Sequence, residues 1–143
     1  MLAFFSPEDE QKIIAAIQDA ERQTSGEIRV HLEDAPKHPT MEVAKRVFQR
    51  LGMHRTKARN GVLILIAPER RELAILGDQG INEVVPPDFW ESEKDLMLSH
   101  FARGEYADGV AAAIQQVGEK LKAHFPYQTD DENELPDDIS YGA

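Results

Sequence analysis

The feature that most constrains the fold is GVLILIA, Gly61 to Ala67, in which every residue after the glycine is apolar. An apolar run of this length, bounded by glycine and by Pro68, is typical of a strand that is covered on both faces. Such strands lie in the middle of α/β sheets, with helices packed above and below them. The run therefore favours an α/β protein, and 143 residues is the usual length of one domain.

Two further strands and four helices are predicted around this central strand. EIRVHLE, residues 27–33, alternates apolar and polar residues and predicts a half-exposed strand, whereas ELAIL, residues 72–76, predicts the hairpin partner of the central strand. Ser6 and Thr40 are the expected N-caps of the first two helices. The helical patterns lie at residues 6–26, 40–52, 86–104 and 105–125. The predicted order is α-β-α-β-β-α-α, with a mixed sheet.

The expected strand directions bring three loops together. A helical crossover between the first two strands makes them parallel, so both begin at the same edge of the sheet. The third strand returns antiparallel, and pairing Ala67 with Glu72 places Gly61 opposite Asp78. The loops predicted to meet at this end are residues 24–27, 59–61 and 77–80.

Asp78 stands between two glycines in LGDQGI, and two interpretations of it remain open. Aspartate and glycine are ordinary turn residues, so Asp78 could simply form a turn. It could also be a ligand together with Glu27 and Asn60, to which Glu105 or Asp108 could be added from the start of the last helix. Oxygen ligands of this kind suit Ca²⁺ or Mg²⁺ rather than zinc or copper.

A second position for a ligand site follows from the general behaviour of open α/β sheets. Such sheets usually bind ligands at the carboxyl ends of their parallel strands, which here would involve Glu33, Asp34 and the PERR turn. Neither position has the ligand spacing of an EF-hand loop.

Composition excludes several classes of protein. The chain has no cysteine, hence no disulfide, thiolate metal site or cysteine nucleophile. Its formal net charge is −10, and no basic stripe is present, so nucleic acid is not an expected partner. No signal peptide or membrane-spanning run is evident, and we expect a cytoplasmic monomer.

The last residues differ from the rest of the chain. From Tyr127 onward the sequence has six acidic residues and no basic one, which is typical of a solvated tail. We therefore expect a domain over residues 1–126 and an acidic, flexible tail over 127–143. Within the tail, NELPDDISYG also has the spacing of a short docking segment, so a frayed end and a segment packed on the domain or a partner are both considered.

Several motifs together resemble the TPM domain family: TSGEIRVHLE, RNGVLILIAPERRELAILGDQGI, HFARGEYADGV and LPDDISYG. The resemblance runs from about Phe4 to Gly142. It implies a three-layer α/β/α sandwich, with a central mixed sheet and helices on both faces. It also implies a cleft that binds divalent cations, chiefly Ca²⁺, and this role fits onto Glu27, Asn60, Asp78 and Asp108.

Two functions follow as expectations. The first is a cation-binding module in which the ion orders the loops and presents a surface to an unknown protein partner. The second comes from the acid phosphatase activity assigned to plant members of the family, which are associated with photosystem II repair. The sequence has no D-x-D-x-[TV] aspartyl-phosphate motif, no cysteine nucleophile, no R-H-G phosphohistidine signature and no Walker loop. Hydrolysis would therefore need the metal to activate water, with Arg59 holding a phosphate oxygen.

Overall fold

The computed structural model describes residues 4–34, 36–127 and 139–142. Its four strands form one mixed sheet in the order β3-β2-β1-β4. The strands are β1 (Glu27–Glu33), β2 (Gly61–Ala67), β3 (Glu72–Gly77) and β4 (Ile139–Gly142). The helices are α1 (Pro7–Glu21), α2 (Thr40–Arg50), α3 (Gln79–Asn82), α4 (Phe89–Phe101) and α5 (Tyr106–His124).

Helices cover both faces of the sheet, as the predicted three-layer sandwich requires. The larger core lies between the sheet and helices α1, α4 and α5, and it contains Ile64 of the central strand. The smaller core lies between the opposite face and α2, and it contains Leu63 and Leu65. All seven residues of β2 are buried, which confirms the prediction made from its continuous apolar run.

The predicted strand directions and register are confirmed. Strand β2 is parallel to β1, with Glu27 beside Gly61, and antiparallel to β3, with Ala67 beside Glu72. The Asp78 N–H donates to the Gly61 carbonyl over 2.9 Å, so these two residues face each other as expected. The amino ends of β1 and β2 and the carboxyl end of β3 therefore share one end of the sheet.

The two predicted helix caps have different outcomes. Ser6 caps α1, since its hydroxyl accepts the Asp9 N–H while the Asp9 carboxylate accepts the Ser6 N–H. The prediction for α2 is wrong, because Thr40 is the first helical residue and Pro39 precedes it. The Thr40 hydroxyl instead donates to the Glu72 carboxylate over 2.5 Å, which ties the start of α2 to β3.

Strand β1 is not half exposed, contrary to the interpretation of its alternating pattern. Glu27 and His31 belong to the polar set, yet they are only 2% and 1% exposed. The His31 ring lies between the hydroxyl of Ser140 and the carboxylate of Glu33, at 2.7 and 2.8 Å. Alternation alone could not reveal this burial, because one of those partners comes from a strand more than 100 residues away.

That partner strand changes the interpretation of the tail. Residues 139–142 form β4, which pairs parallel to β1, so this part of the predicted tail belongs to the domain and is not a frayed end. The Tyr141 hydroxyl donates to Glu10 of α1 over 2.7 Å. Residues 128–138 and 143 lie outside those that the structure describes, and the prediction of a flexible tail remains a prediction there.

Candidate cation site

The three predicted loops meet at the amino end of β1 and β2. The Glu27 N–H points at the Asn60 carbonyl over 3.5 Å, and the Gly80 N–H donates to the Arg59 carbonyl over 2.8 Å. With the bond from Asp78 to Gly61, these contacts link the loop before β1, the loop before β2 and the turn after β3. The convergence inferred from strand directions is therefore present.

Two of the predicted ligands share one face of the sheet. Residues paired across neighbouring strands point to the same face, so Glu27 and Asp78 lie on either side of Gly61, on the face that α2 covers. Both are buried, at 2% and 7% exposure. Since neighbouring strands are about 4.8 Å apart, the two Cα atoms are roughly 10 Å apart.

The glycine between the two carboxylates leaves a gap in the row of side chains. Buried Met53 packs over this position: a Cβ atom built on Gly61 would lie 3.0 Å from the Met53 carbonyl oxygen and 3.7 Å from the Met53 Cβ and Cε atoms, so the carbonyl oxygen faces Gly61 directly. A backbone carbonyl is a further hard oxygen donor of the kind that Ca²⁺ accepts. Sequence reasoning missed Met53, because no side-chain pattern predicts the position of a carbonyl in the short 3₁₀ turn at residues 53–55.

Asn60 is buried beside this gap, with its amide directed at the loop before β1. It is 1% exposed, and its Nδ2 donates to the Ser25 hydroxyl over 3.4 Å. Its Oδ1 is buried and has no hydrogen-bond partner among the described residues. A buried amide oxygen without a partner is costly, so this atom points to a ligand, a water molecule or an opposite amide orientation.

Asp78 has two local partners in the structure. Its carboxylate accepts two hydrogen bonds from the Arg59 guanidinium, Nε to Oδ2 at 2.6 Å and a terminal nitrogen to Oδ1 at 2.9 Å. Asp78 is also the N-cap of α3, since Oδ1 accepts the Gln79 N–H over 2.8 Å. The turn interpretation and the ligand interpretation are thus compatible, because Asp78 caps a one-turn helix at the edge of the gap.

A second glycine in LGDQGI fixes the distance between two of the loops. A Cβ atom on Gly80 would collide with the carbonyl oxygens of Ala58 and Arg59. Only glycine lets the turn after β3 approach the loop before β2 this closely. Gly80 therefore holds the backbone of Arg59 beside Asp78.

The predicted additions from the start of α5 do not join this group. Helix α5 ends at His124, and the Phe125 carbonyl accepts the Ser25 N–H over 3.0 Å, so the carboxyl end of the helix lies near the site. Asp108 lies seventeen residues earlier, roughly 25 Å away along a helix that rises 1.5 Å per residue. It pairs there with Lys12 at 2.6 Å, and this hydrogen bond lowers the pKa of Asp108.

Glu105 is also occupied elsewhere. Its carboxylate lies 3.2 Å from Arg103 and 3.0 Å from His100, and hydrogen bonds from these residues lower the pKa of Glu105. Within the described ranges, no group of three or more histidine, cysteine, aspartate or glutamate side chains is placed to hold a metal ion. The oxygen set at this end of the sheet thus consists of two carboxylates, an amide and a carbonyl.

The alternative position at the carboxyl ends of β1 and β2 is taken up by contacts that hold the fold together. The Glu33 carboxylate accepts a hydrogen bond from the His31 ring, and Arg70 of the PERR turn donates to the carbonyls of Pro36 and His38. Hydrogen bonds link Ser140 to His31 and His31 to Glu33, as in the Ser-His-acid triad of a hydrolase. The imidazole side chain, however, is only 2% exposed. We assign these residues to the attachment of β4.

The fold and the site define a class: a single α/β sandwich with buried oxygen donors at the amino ends of its parallel strands. The chain belongs to the TPM domain family, whose sequence profile matches residues 2–120. A search among curated proteins found no match.

Several solved structures share this fold. The chain is similar to the BA42 protein of the psychrophilic bacterium Bizionia argentinensis, at 43% identity and a TM-score of 0.90, with 97% of this chain and 96% of that one covered. It also shares the fold of the N-terminal domain of a protein from P. gingivalis, structural genomics target PgR37A, at 21% identity and a TM-score of 0.71. The match covers 87% of this chain and 83% of that one. It shares the fold of the N-terminal domain of cg2496 from Corynebacterium glutamicum as well, at 17% identity and a TM-score of 0.62, with 94% of this chain and 79% of that one covered.

Proposed function

We propose that this TPM domain binds a divalent cation, Ca²⁺ or Mg²⁺, between Glu27 and Asp78, where Met53 packs against Gly61, and that the bound ion orders the three loops for contact with a protein partner. The ligands in this proposal are Glu27, Asp78, the Asn60 amide oxygen and the Met53 carbonyl. Asp108, which the sequence suggested as a fourth ligand, is omitted because it pairs with Lys12.

The observation that supports the proposal best is the pair of buried carboxylates on either side of a position without a side chain. Each of the two side chains can reach an ion midway between Cα atoms that are roughly 10 Å apart, given oxygen–calcium distances of about 2.3–2.6 Å. A cation beside Gly61 would face both carboxylates, and water would complete its coordination shell.

Arginine side chains also bear on this fit. Arg59 neutralises Asp78 in the structure, and Arg29 lies two residues beyond Glu27 on the same face of β1. The Arg29 Nε is buried and has no hydrogen-bond partner among the described residues. Arg59 therefore balances the charge of Asp78 in the structure, and a cation has to compete with it.

A weak metal-assisted phosphatase is the second candidate function. Arg59 favours it, because its side chain is 41% exposed beside Asp78 and its guanidinium could hold a phosphate oxygen. Hydroxyls of Ser25 and Thr56 lie next to Asn60, and no described histidine is hydrogen-bonded to either of them. A phosphatase built on these residues would rely on metal-activated water, with the carboxylates positioning the ion.

The test is a titration of the metal-stripped protein with Ca²⁺ and with Mg²⁺, followed by backbone-amide NMR. We expect saturable shifts at residues 26–27, 53–54, 60–61 and 77–80. Asp78→Asn should weaken binding about tenfold or more, while its side chain can still cap α3. Asp108→Asn is the matched control, since it removes the same charge at the far end of α5 and should leave the affinity within about twofold.

Two results would contradict the cation proposal. One is the absence of saturable shifts at millimolar metal, and the other is equal weakening by Asp78→Asn and Asp108→Asn, which would indicate diffuse attraction to a negative protein. Turnover of p-nitrophenyl phosphate that survives repeated purification and disappears in Asp78→Asn would favour the phosphatase instead.

A further inference from the structure

Both oxygens of the Asp78 carboxylate are already engaged in the structure. Oδ2 accepts from Arg59 Nε at 2.6 Å, while Oδ1 accepts from a second Arg59 nitrogen at 2.9 Å and from the Gln79 N–H at 2.8 Å. Each oxygen therefore already accepts one N–H of the guanidinium, on the side where a cation chelated by both oxygens would lie. An ion that binds both oxygens of Asp78 must displace Arg59.

The backbone of Arg59 is held in place while its side chain has room to move. Its φ of 52° is in the left-handed region, where residues other than glycine are uncommon. Its N–H donates to the Thr56 carbonyl, and its own carbonyl accepts from Gly80. The side chain is 41% exposed, whereas Asp78 is 7% exposed, so the guanidinium can rotate into solvent and leave the carboxylate behind.

We propose that Arg59 is an internal counter-ion that keeps the cation site closed, and that a divalent cation opens the site by replacing the guanidinium on Asp78. This inference depends on the proposed cation site. It adds a regulatory step, because the apparent affinity is the intrinsic affinity multiplied by the fraction of molecules in which Asp78 is released from Arg59. Arg59 would then raise the cation concentration at which the site is half filled.

Two substitutions of Arg59 test the proposal through cation affinity, measured by calorimetry. Arg59→Gly removes the guanidinium, adds no oxygen ligand and suits the left-handed backbone. It should raise the affinity for Ca²⁺ about tenfold, a typical coupling between two competing ligands. Arg59→Lys keeps the net charge but loses the two-armed geometry, so it should give a smaller increase.

Arg46→Gln is the matched control, since it removes one positive charge from an exposed pair with Glu42 on α2. It should leave the affinity within about twofold of the wild-type value. A second measurement uses the unmodified chain: the NMR signal of the Arg59 Nε–H should be protected from exchange without metal and should lose that protection as Ca²⁺ saturates the site.

The possible outcomes separate the two proposals. Tighter binding by both Arg59 variants than by the wild type supports the counter-ion role. Equal affinity for wild type and Arg59→Gly, or weaker binding by the variant, overturns that role and leaves the cation site standing. If the wild type does not bind Ca²⁺, the cation site fails and the counter-ion role fails with it.

Discussion

At the scale of single residues, Glu93 shows what burial does to a charged group. It lies on α4, is 2% exposed, and burial raises its pKa to about 7. Gln116 of α5 lies beside it, with the amide nitrogen 2.6 Å from Oε2 when that amide is oriented to donate. The carboxyl group is therefore more easily protonated in the folded chain than in the unfolded one, where its pKa is near 4.5.

The raised pKa predicts a pH dependence of stability with a definite sign. Because the folded chain holds this proton up to about pH 7 while the unfolded chain releases it near 4.5, the free energy of unfolding should fall as pH rises through that window. Glu93→Gln removes the effect and should stabilise the protein at pH 8 by about 1–3 kcal/mol. Urea unfolding at pH 5 and pH 8 measures it.

Glu91→Gln provides the control for this prediction, because Glu91 is an exposed carboxylate in the first turn of the same helix. Its stability should follow the wild-type pH dependence. A Glu93→Gln protein with the same pH dependence as wild type would show that Glu93 is charged when folded.

At the scale of elements, β4 is the part of the sheet that connects distant regions of the chain. It adds a fourth strand beside β1 and encloses His31, and burial lowers the pKa of that histidine. The neutral His31 ring can donate a hydrogen bond from Nε2 to Glu33 while its Nδ1 accepts one from the Ser140 hydroxyl. A single tautomer thus satisfies the imidazole, the carboxylate and the hydroxyl.

Removal of β4 should therefore change the titration of His31. In a chain that ends at residue 138, we expect the His31 pKa to rise, because the ring gains solvent while Glu33 remains beside it. Histidine NMR signals followed against pH measure this change. Tyr141→Ala keeps the paired backbone of β4 and should leave the His31 pKa low; an unchanged pKa in the shortened chain would show that β4 does not bury this residue.

At the scale of the whole molecule, the sequence predicted much of the fold because local patterns agreed with the topology. The apolar run of β2 and the parallel crossover fixed the central register, and from it the meeting of Gly61 with Asp78. Long-range contacts escaped prediction. The burial of β1 depends on a strand over 100 residues later, and the isolation of Asp108 depends on the direction in which α5 runs.

The candidate site was predictable to a similar extent. Strand directions brought Glu27, Asn60 and Asp78 to one end of the sheet, but three features depended on loop geometry: the Met53 carbonyl, the close approach at Gly80 and the pairing of Arg59 with Asp78.

Among the described residues, no helix has the length and apolar character needed to cross a membrane.

The measurement that tests the central claim most directly locates the ion. Mn²⁺, which also prefers oxygen ligands, broadens the NMR signals of nearby amides when added in small amounts. Broadening should be strongest at residues 26–27, 53–54, 60–61 and 77–80. Excess Ca²⁺ should displace the Mn²⁺ and restore these signals, and the broadening should be weaker in Asp78→Asn. Broadening centred on Glu105 and Asp108, or on the acidic residues after Tyr127, would contradict a cation site over Gly61.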